Sequence, residues 1–313
     1  MKTTQTTNAS RRTGFTLVEL LVVITIIGIL AGLTLVAIGP VIFGTKNTAM
    51  KLELIQIETA LASYKQDRGA LPPDGSLLIP IANTNARVDA VDRHLNRMFP
   101  SRNEAVDNAG LADATTVQRL IDMGIVSSNA ASGINLATLD PSETYVLFLM
   151  GFSPDVERPL TGPGERNRLF EFDQTRLIDP DGDGWFSYKT RYSESEIVYF
   201  NGNTYDDGTN AASWDFSSGT SLASGIVRPY AMVQSNQPRF ANENTFQLIC
   251  AGQDAHFGQW EETDTNHVKL YPSGIGTGEA LPVVLVSYSD EDRDNVTNFT
   301  EGSSLQADEA LAE

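Results

Sequence analysis

The chain has 313 residues, 41% hydrophobic and 20% charged, the composition of a folded protein with a sizeable core rather than of a disordered one. Its formal net charge is −18, and because residues 1–14 hold Lys2, Arg11 and Arg12 without an acid, the remainder is more acidic still. Such a body argues against nucleic-acid binding through a phosphate-neutralising face, and a single cysteine, Cys250, excludes an intrachain disulfide and a Cys-pair zinc site.

Residues 15–43 form an apolar run whose one ionisable side chain is Glu19. About 20 apolar residues span a bilayer as a helix, so this run is long enough. Arg11 and Arg12 lie just upstream and predict a cytoplasmic N-terminus. A secretory signal would have an apolar region of ~7–15 residues followed by a small-residue cleavage site; this run is longer, and its glycine, Gly14, precedes it. A plain signal anchor leaves Glu19 unexplained, because a carboxylate in hydrocarbon costs ~2.5–3.5 kcal/mol even on insertion scales. Such an acid calls for a partner.

The run Gly14-Phe15-Thr16-Leu17-Val18-Glu19-Leu20 resembles the cleavage and methylation motif of type IV prepilins and type II secretion pseudopilins. The resemblance implies cleavage after Gly14 by a prepilin peptidase and methylation of the new Phe15 amine. It also implies that Glu19 pairs with the amine of a neighbouring subunit in a filament. Two buried opposite charges each lose hydration that only the other offsets, so the pair would set axial register.

Further along the helix, Gly28, Ala31 and Gly32 give a face on which helices can approach closely, and Gly39-Pro40 predicts a kink or local melting. After Lys46 the pattern turns amphipathic, with Leu52, Ile55, Ile57, Leu61 and Tyr64 at helical spacing. The helix is expected to end near Arg68-Gly69, before Leu71-Pro72-Pro73. Its last turns resemble the end of a pseudopilin stalk.

In the head, residues 75–140 read as an insertion with short helices over 88–99 and 115–123. Asp140-Pro141-Ser142-Glu143 reads as a helix start, with an aspartate cap and a glutamate three residues on, opening a buried helix over 142–150. From 165 onward, short runs between turn signals suggest an antiparallel sheet with strands at 169–172, 197–200, 245–250, 267–271 and 283–288. Residues 301–313, acidic and small, read as a disordered tail. The expected fold is α+β: a long N-terminal helix, half transmembrane and half amphipathic, packed on a small antiparallel sheet with helical insertions. The expected divisions are a leader (1–14), a transmembrane and assembly helix (15–43), an amphipathic joining helix (44–70), a globular head (71–300) and the tail.

Asp179-Pro180-Asp181-Gly182-Asp183-Gly184 has the alternating carboxylates and glycine turns of a calcium loop, since calcium takes 6–8 oxygens. The twelfth position is Thr190 where a bidentate glutamate is usual, and Glu194 is the nearest substitute. A solvated Asp/Gly turn is the competing reading. A second candidate comes by resemblance alone. Residues 246–254 are similar to the closing strand and Gly-x-Asp turn of major pseudopilins, and 292–299 to their acidic Asn-aromatic segment. The resemblance implies a calcium loop with Asp254 and Asp294 as ligands, Asn295 in an aspartate's place, and Asp290 or Asp292 compensating. Calcium is the one cofactor expected.

No Gly-x-Ser-x-Gly, His-Glu-x-x-His or phosphate-binding loop is present, and His94, His256 and His267 lie in unrelated contexts. Glu261, Glu262 and Asp264 read as a solvated acidic stretch, and Cys250 as a buried apolar residue. The expectation is therefore no enzymatic activity. The chain reads as a structural filament subunit of a type II secretion-like system, anchored in the inner membrane of a two-membrane bacterium with its head in the periplasm. Its partners would be the prepilin peptidase, other pilin-like subunits and the inner-membrane assembly platform. The alternatives are an adhesion or DNA-uptake pilin with a ligand-binding head, and a membrane-tethered enzyme or binding module.

Overall fold

The computed structural model describes residues 15–76, 84–206, 212–216, 225–234, 237–258, 267–271, 284–287 and 289–312. Gly14 and the basic residues before it lie outside the described residues, as do Glu261, Glu262 and Asp264. Helix α1 runs Leu17–Arg68, and the chain divides into two units between Thr45 and Lys46.

In the first unit the described apolar side chains from Leu17 to Phe43 are exposed. Among the described residues this is the helix long and apolar enough to cross a membrane. Its hydroxyls are satisfied internally: Thr25 donates to the Leu21 carbonyl at 2.8 Å and Thr34 to Leu30 at 3.0 Å, as hydrocarbon requires. The expected melting at Gly39-Pro40 does not occur; α1 is helical through Pro40. Proline removes a single rung, and the adjoining turns keep theirs.

The second unit is built around a three-stranded antiparallel sheet of β3 (Ile197–Asn201), β8 (Phe246–Cys250) and β11 (Val296–Thr297), with β8 central. Side chains of a strand alternate faces, so a strand covered on both sides reads as a continuous apolar run. Ile197, Tyr199, Leu248 and Cys250 belong to one core cluster, and Val198, Phe200 and Ile249 to another. The first cluster also holds the α1 stripe Met50, Leu54, Ile57, Leu61 and Tyr64, each 0% exposed. That corrects the expected stripe: Leu52 and Ile55 are 55% and 41% exposed, because the buried face follows steps of four, three, four and three from Met50.

Helices α2 (Thr84–Met98), α3 (Glu104–Gly110), α4 (Ala114–Asp122) and α5 (Thr144–Leu149) join the first cluster through Val91, Leu95, Leu111, Val117, Leu120 and the wholly buried α5. Arg102 knits the α2–α3 region together: Nε lies 2.8 Å from Asp107, Nη1 2.8 Å from Asp92, and Nη2 donates to Asn108 at 2.6 Å. The α5 start has the expected reciprocal bonds, with Asp140 Oδ1 accepting from the Ser142 N–H and Glu143 Oε2 from the Asp140 N–H, although α5 itself begins only at Thr144.

Around the second cluster lies a four-stranded sheet ordered β10 (Val284–Ser287), β9 (His267–Tyr271), β6 (Ala231–Gln234), β7 (Gln237–Phe240). Both β9–β10 and β6–β9 are parallel, so this sheet is mixed where an antiparallel one was expected. Pro238 sits on the edge strand β7, where a missing donor is tolerated. Two further pairs are β1 (Leu177–Ile178) with β2 (Ser187–Tyr188), and β4 (Trp214–Asp215) with β5 (Ile226–Val227). Residues 169–172 form no strand; Phe170 and Phe172 pack edge-on, and Phe172 likewise meets Tyr188. The tail is not disordered through 305–312: α6 (Leu305–Ala312) buries Leu305 in the second cluster, while Asp308 accepts from the Glu301 and Gly302 N–H groups at 2.8 and 2.6 Å.

Candidate functional site

At the first acidic loop, Asp179, Asp181 and Asp183 each place a carboxylate oxygen within 4.8 Å of the others. Asp179 organises the turn: its oxygens accept from the Gly182 N–H at 2.9 Å, the Gly184 N–H at 3.2 Å, Asn129 Nδ2 at 2.9 Å and the Ser127 hydroxyl. Neither Thr190 nor Glu194 completes the loop. Thr190 is buried beside Cys250 Sγ, and Glu194 pairs with Lys189. Two acids from the α5 start stand there instead: Asp140, Glu143 and Asp181 form a second group with oxygens within 4.8 Å.

These acids crowd one another, with Asp140 and Glu143 buried and Asp181 at the solvent edge. Burial, opposed by hydrogen bonds from Ser142, raises the Asp140 pKa to about 7, with Asp181 and Asp183 adding repulsion. Burial and the field of Asp140 push Glu143 well above the carboxylate range, and burial with repulsion from Asp183 takes Asp181 to about 6. Asp183 Oδ2 is a buried oxygen with no hydrogen-bond partner. Arg87 feels the same negative field, but its Nη1 donates to the carbonyls of Ala137 and Thr138. An all-oxygen donor set, an orphaned carboxylate oxygen and mutual repulsion among the acids fit a hard cation of calcium type.

The second acidic loop brings its two segments together, since Val296 pairs with Cys250 in the β8–β11 ladder. Asp294 Oδ2 accepts from the Gln253 N–H at 2.7 Å and the Asp254 N–H at 3.3 Å, and a Cβ at Gly252 would lie 2.4 Å from that oxygen. Asp254 itself accepts from the His256 N–H at 2.8 Å. Burial and the nearby Asp254 raise the Asp294 pKa to about 6. Of the other expected ligands, Asp290 and Asp292 have cationic partners of their own. Asp290, with its side chain 93% exposed, pairs with Arg293 at 3.0 Å; Asn295 Nδ2 donates to the Tyr230 hydroxyl at 3.0 Å, while its Oδ1 is buried without a hydrogen-bond partner. Asp292 is the counter-ion of Lys269, with Nζ 2.6 Å from both carboxylate oxygens. This set does not fit calcium, because an ammonium already neutralises its most buried acid.

His94, His256 and Cys250 have structural surroundings. His94 Nε2 meets the Tyr64 hydroxyl at 2.8 Å, and burial lowers its pKa to about 4. His256 Nδ1 accepts from the Gly258 N–H at 3.0 Å. His267 opens β9. Cys250 is buried at the end of β8, and burial pushes its thiol pKa up, away from thiolate chemistry.

At the start of α1, Thr16 and Glu19 form a reciprocal cap. Glu19 Oε2 accepts from the Thr16 N–H at 2.9 Å and its hydroxyl at 2.8 Å, while the Glu19 N–H donates to Thr16 Oγ1 at 3.2 Å. Phe15, Leu17, Val18 and Leu20 around it are exposed at 72%, 79%, 68% and 57%. The family model of the prokaryotic N-terminal methylation motif matches residues 9–35. The start of the chain thus carries the motif found in type IV pilin-like prepilins. No curated protein and no solved structure matches the chain.

In this pilin-like chain the motif implies processing by a prepilin peptidase and assembly with other pilin subunits. Two groups of functional interest escaped the reading of the sequence. Asp140 and Glu143 carry only a helix-start signal and reach Asp181 through packing of the α5 start on the loop. Lys269 lies in an apolar strand, where the one signal was an isolated lysine between Val268 and Leu270.

Proposed function

We propose that the chain is a pseudopilin: a structural subunit of a type II secretion-like filament, cut after Gly14, methylated at Phe15 and assembled by pairing Glu19 with the Phe15 amine of a neighbour. The observation that carries the proposal is Glu19, the lone acid of an exposed apolar helix, held at its first turn within a matched methylation motif. In the single subunit Thr16 supplies the carboxylate's hydrogen bonds but no counter-charge. A cationic amine from the next subunit supplies that charge, and only in correct register. The basic residues before Gly14 keep the N-terminus cytoplasmic and the head periplasmic. The assembly platform in the inner membrane is the remaining partner, and the work is mechanical rather than catalytic.

Supporting a pseudopilin over an adhesive pilin are the lone cysteine and the closure of the 246–254 segment on 292–299 through the β8–β11 ladder. Calcium is assigned to the first acidic loop, held by Asp181, Asp183, Asp140 and Glu143 with Asp179 shaping the turn. There it would neutralise the crowded carboxylates and tie the α5 start to the loop.

Mass spectrometry of the mature protein tests the processing step and should find N-methylphenylalanine at residue 15; an intact leader defeats the reading. Glu19→Ala should still insert in the membrane yet fail to enter filaments. A deletion strain should lose export of a secreted protein while keeping adhesion and DNA uptake; the reverse outcome makes the chain an adhesion or uptake pilin.

A further inference from the structure

The second acidic loop is laid out around a positive charge, and that charge belongs to the chain. Lys269 projects from β9, and its side chain is 4% exposed against 0% for Asp292. Its three N–H donors face three oxygens: both carboxylate oxygens of Asp292 at 2.6 Å and the Phe257 carbonyl at 3.3 Å. Asp292 completes its own shell with the Ser289 N–H at 2.8 Å, the Ser289 hydroxyl at 2.7 Å and the Tyr230 hydroxyl at 2.8 Å. Gly258 closes over the contact with φ +84°, and a Cβ there would lie 2.2 Å from Asp292 Oδ2 and 2.4 Å from Lys269 Nζ. Oxygens from two separate segments thus converge on one cation inside a glycine-lined cradle.

We infer that the Lys269 ammonium takes the place that the family resemblance gave to a bound calcium, so that residues 252–258 and 289–297 close on each other and on β9 without a metal. A divalent ion beside Asp292 would have to displace Nζ, whose side chain is 4% exposed and rises from a strand paired on both sides. Of the remaining candidates, Asp294 caps the 252–254 turn, Asp254 accepts from the His256 N–H and Asp290 points to Arg293, which leaves the buried Asn295 Oδ1 as one neutral oxygen, too few to hold a divalent ion. One covalently supplied charge holds three segments distant in sequence, which is the task of a staple in a chain with a single cysteine. The inference is independent of the filament reading.

Hydrogen exchange read by mass spectrometry on the full-length chain in detergent, with calcium chloride or with chelator, tests it. Amides of 252–258 and 289–297 should exchange at the same rate in both conditions, with Lys269→Met speeding both segments by about tenfold or more whether calcium is present or not. Calcium slowing these segments about tenfold in the unmodified chain overturns the inference, as does a Lys269→Met chain that exchanges as before. Should the variant fail to fold, the calcium comparison on the unmodified chain decides alone. Peptides over 177–188 report the first loop separately, so failure of the calcium proposal there is distinguishable from failure of this one.

Discussion

At the Asp179–Asp183 loop, acids face acids across a turn, and Asp183 Oδ2 has no partner; at the C-terminal loop, Asp292 is more deeply buried yet fully bonded, because Lys269 reaches it from β9. Both loops are strings of aspartate with turn residues between. The difference lies in what packs against them. The first receives two more carboxylates from the α5 start, so acids repel one another there, and protons or the proposed calcium would have to relieve them. The second receives an ammonium from a strand, so the charge of Asp292, its most buried acid, is already balanced. Density of acid in a sequence therefore measures demand for positive charge, while the neighbouring element decides whether a metal or a side chain meets it.

The sharpest break between the loops comes from removing the lysine. Lys269→Met strands a buried carboxylate and should cost roughly 3–5 kcal/mol in urea unfolding. A loss below about 1 kcal/mol would mean that water reaches Asp292 and that the two loops are alike. The complementary effect is calcium stabilising the first loop. At a hundred times the dissociation constant, one site adds about 2.7 kcal/mol. Asp181→Asn with Asp183→Asn should abolish that gain while raising the melting temperature in chelator, since it also removes repulsion; a calcium response that survives the double variant places the metal elsewhere.

Gly258→Ala probes the cradle more gently. A methyl group at positive φ, pressed against the ion pair, should cost roughly 1–3 kcal/mol in a thermal melt, whereas alanine at Gly182, where the nearest atom to a Cβ is 3.9 Å away, should carry only the backbone part of that cost.

The smallest effect is on pH. Asp140, Asp181 and Asp294 have folded pKa values of about 7, 6 and 6, above their ordinary value of 3.8. The folded state then holds protons that the unfolded chain has released, so stability falls as pH rises from 4 toward 7 by at most ~1.4 kcal/mol per pH unit per proton. Solvent screening reduces the share of the partly exposed Asp181 and Asp294. Calcium should flatten the part owed to Asp140 and Asp181, and Asp294→Asn should remove the part owed to Asp294 in either condition. Denaturant midpoints across that range read both.

Elements with strong local signals were legible. The anchor, its Glu19 and the helix end at Arg68 follow from hydropathy, a lone charge and a Gly-x-x-Pro turn. Strands β3, β8, β9 and β10 follow from apolar runs, and the buried α5 from its cap and composition. Weakly marked elements were not. Helix α3 is a seven-residue Ala/Asn-rich turn of chain, and β6 and β7 are four-residue strands, one of them carrying Pro238. Residues 169–172 have the aromatic content of a strand, but their rings pack on one another and on β2 without a ladder. The acidic tail was misread because composition averages over Leu305, whose burial anchors α6.

By itself the sequence determined the membrane-length helix, the processing motif, the covered strands and the positions of the acidic turns, all of which depend on neighbours within one or two helical turns or along one strand. Tertiary structure alone decided the parallel pairing of β9 with β6 and β10, the approach of Asp140 and Glu143 to Asp181, and the clamp of Lys269 on Asp292. The reason is range: periodicity and capping act over a few residues, whereas the charge a buried carboxylate meets is set by whichever distant segment the core packs beside it.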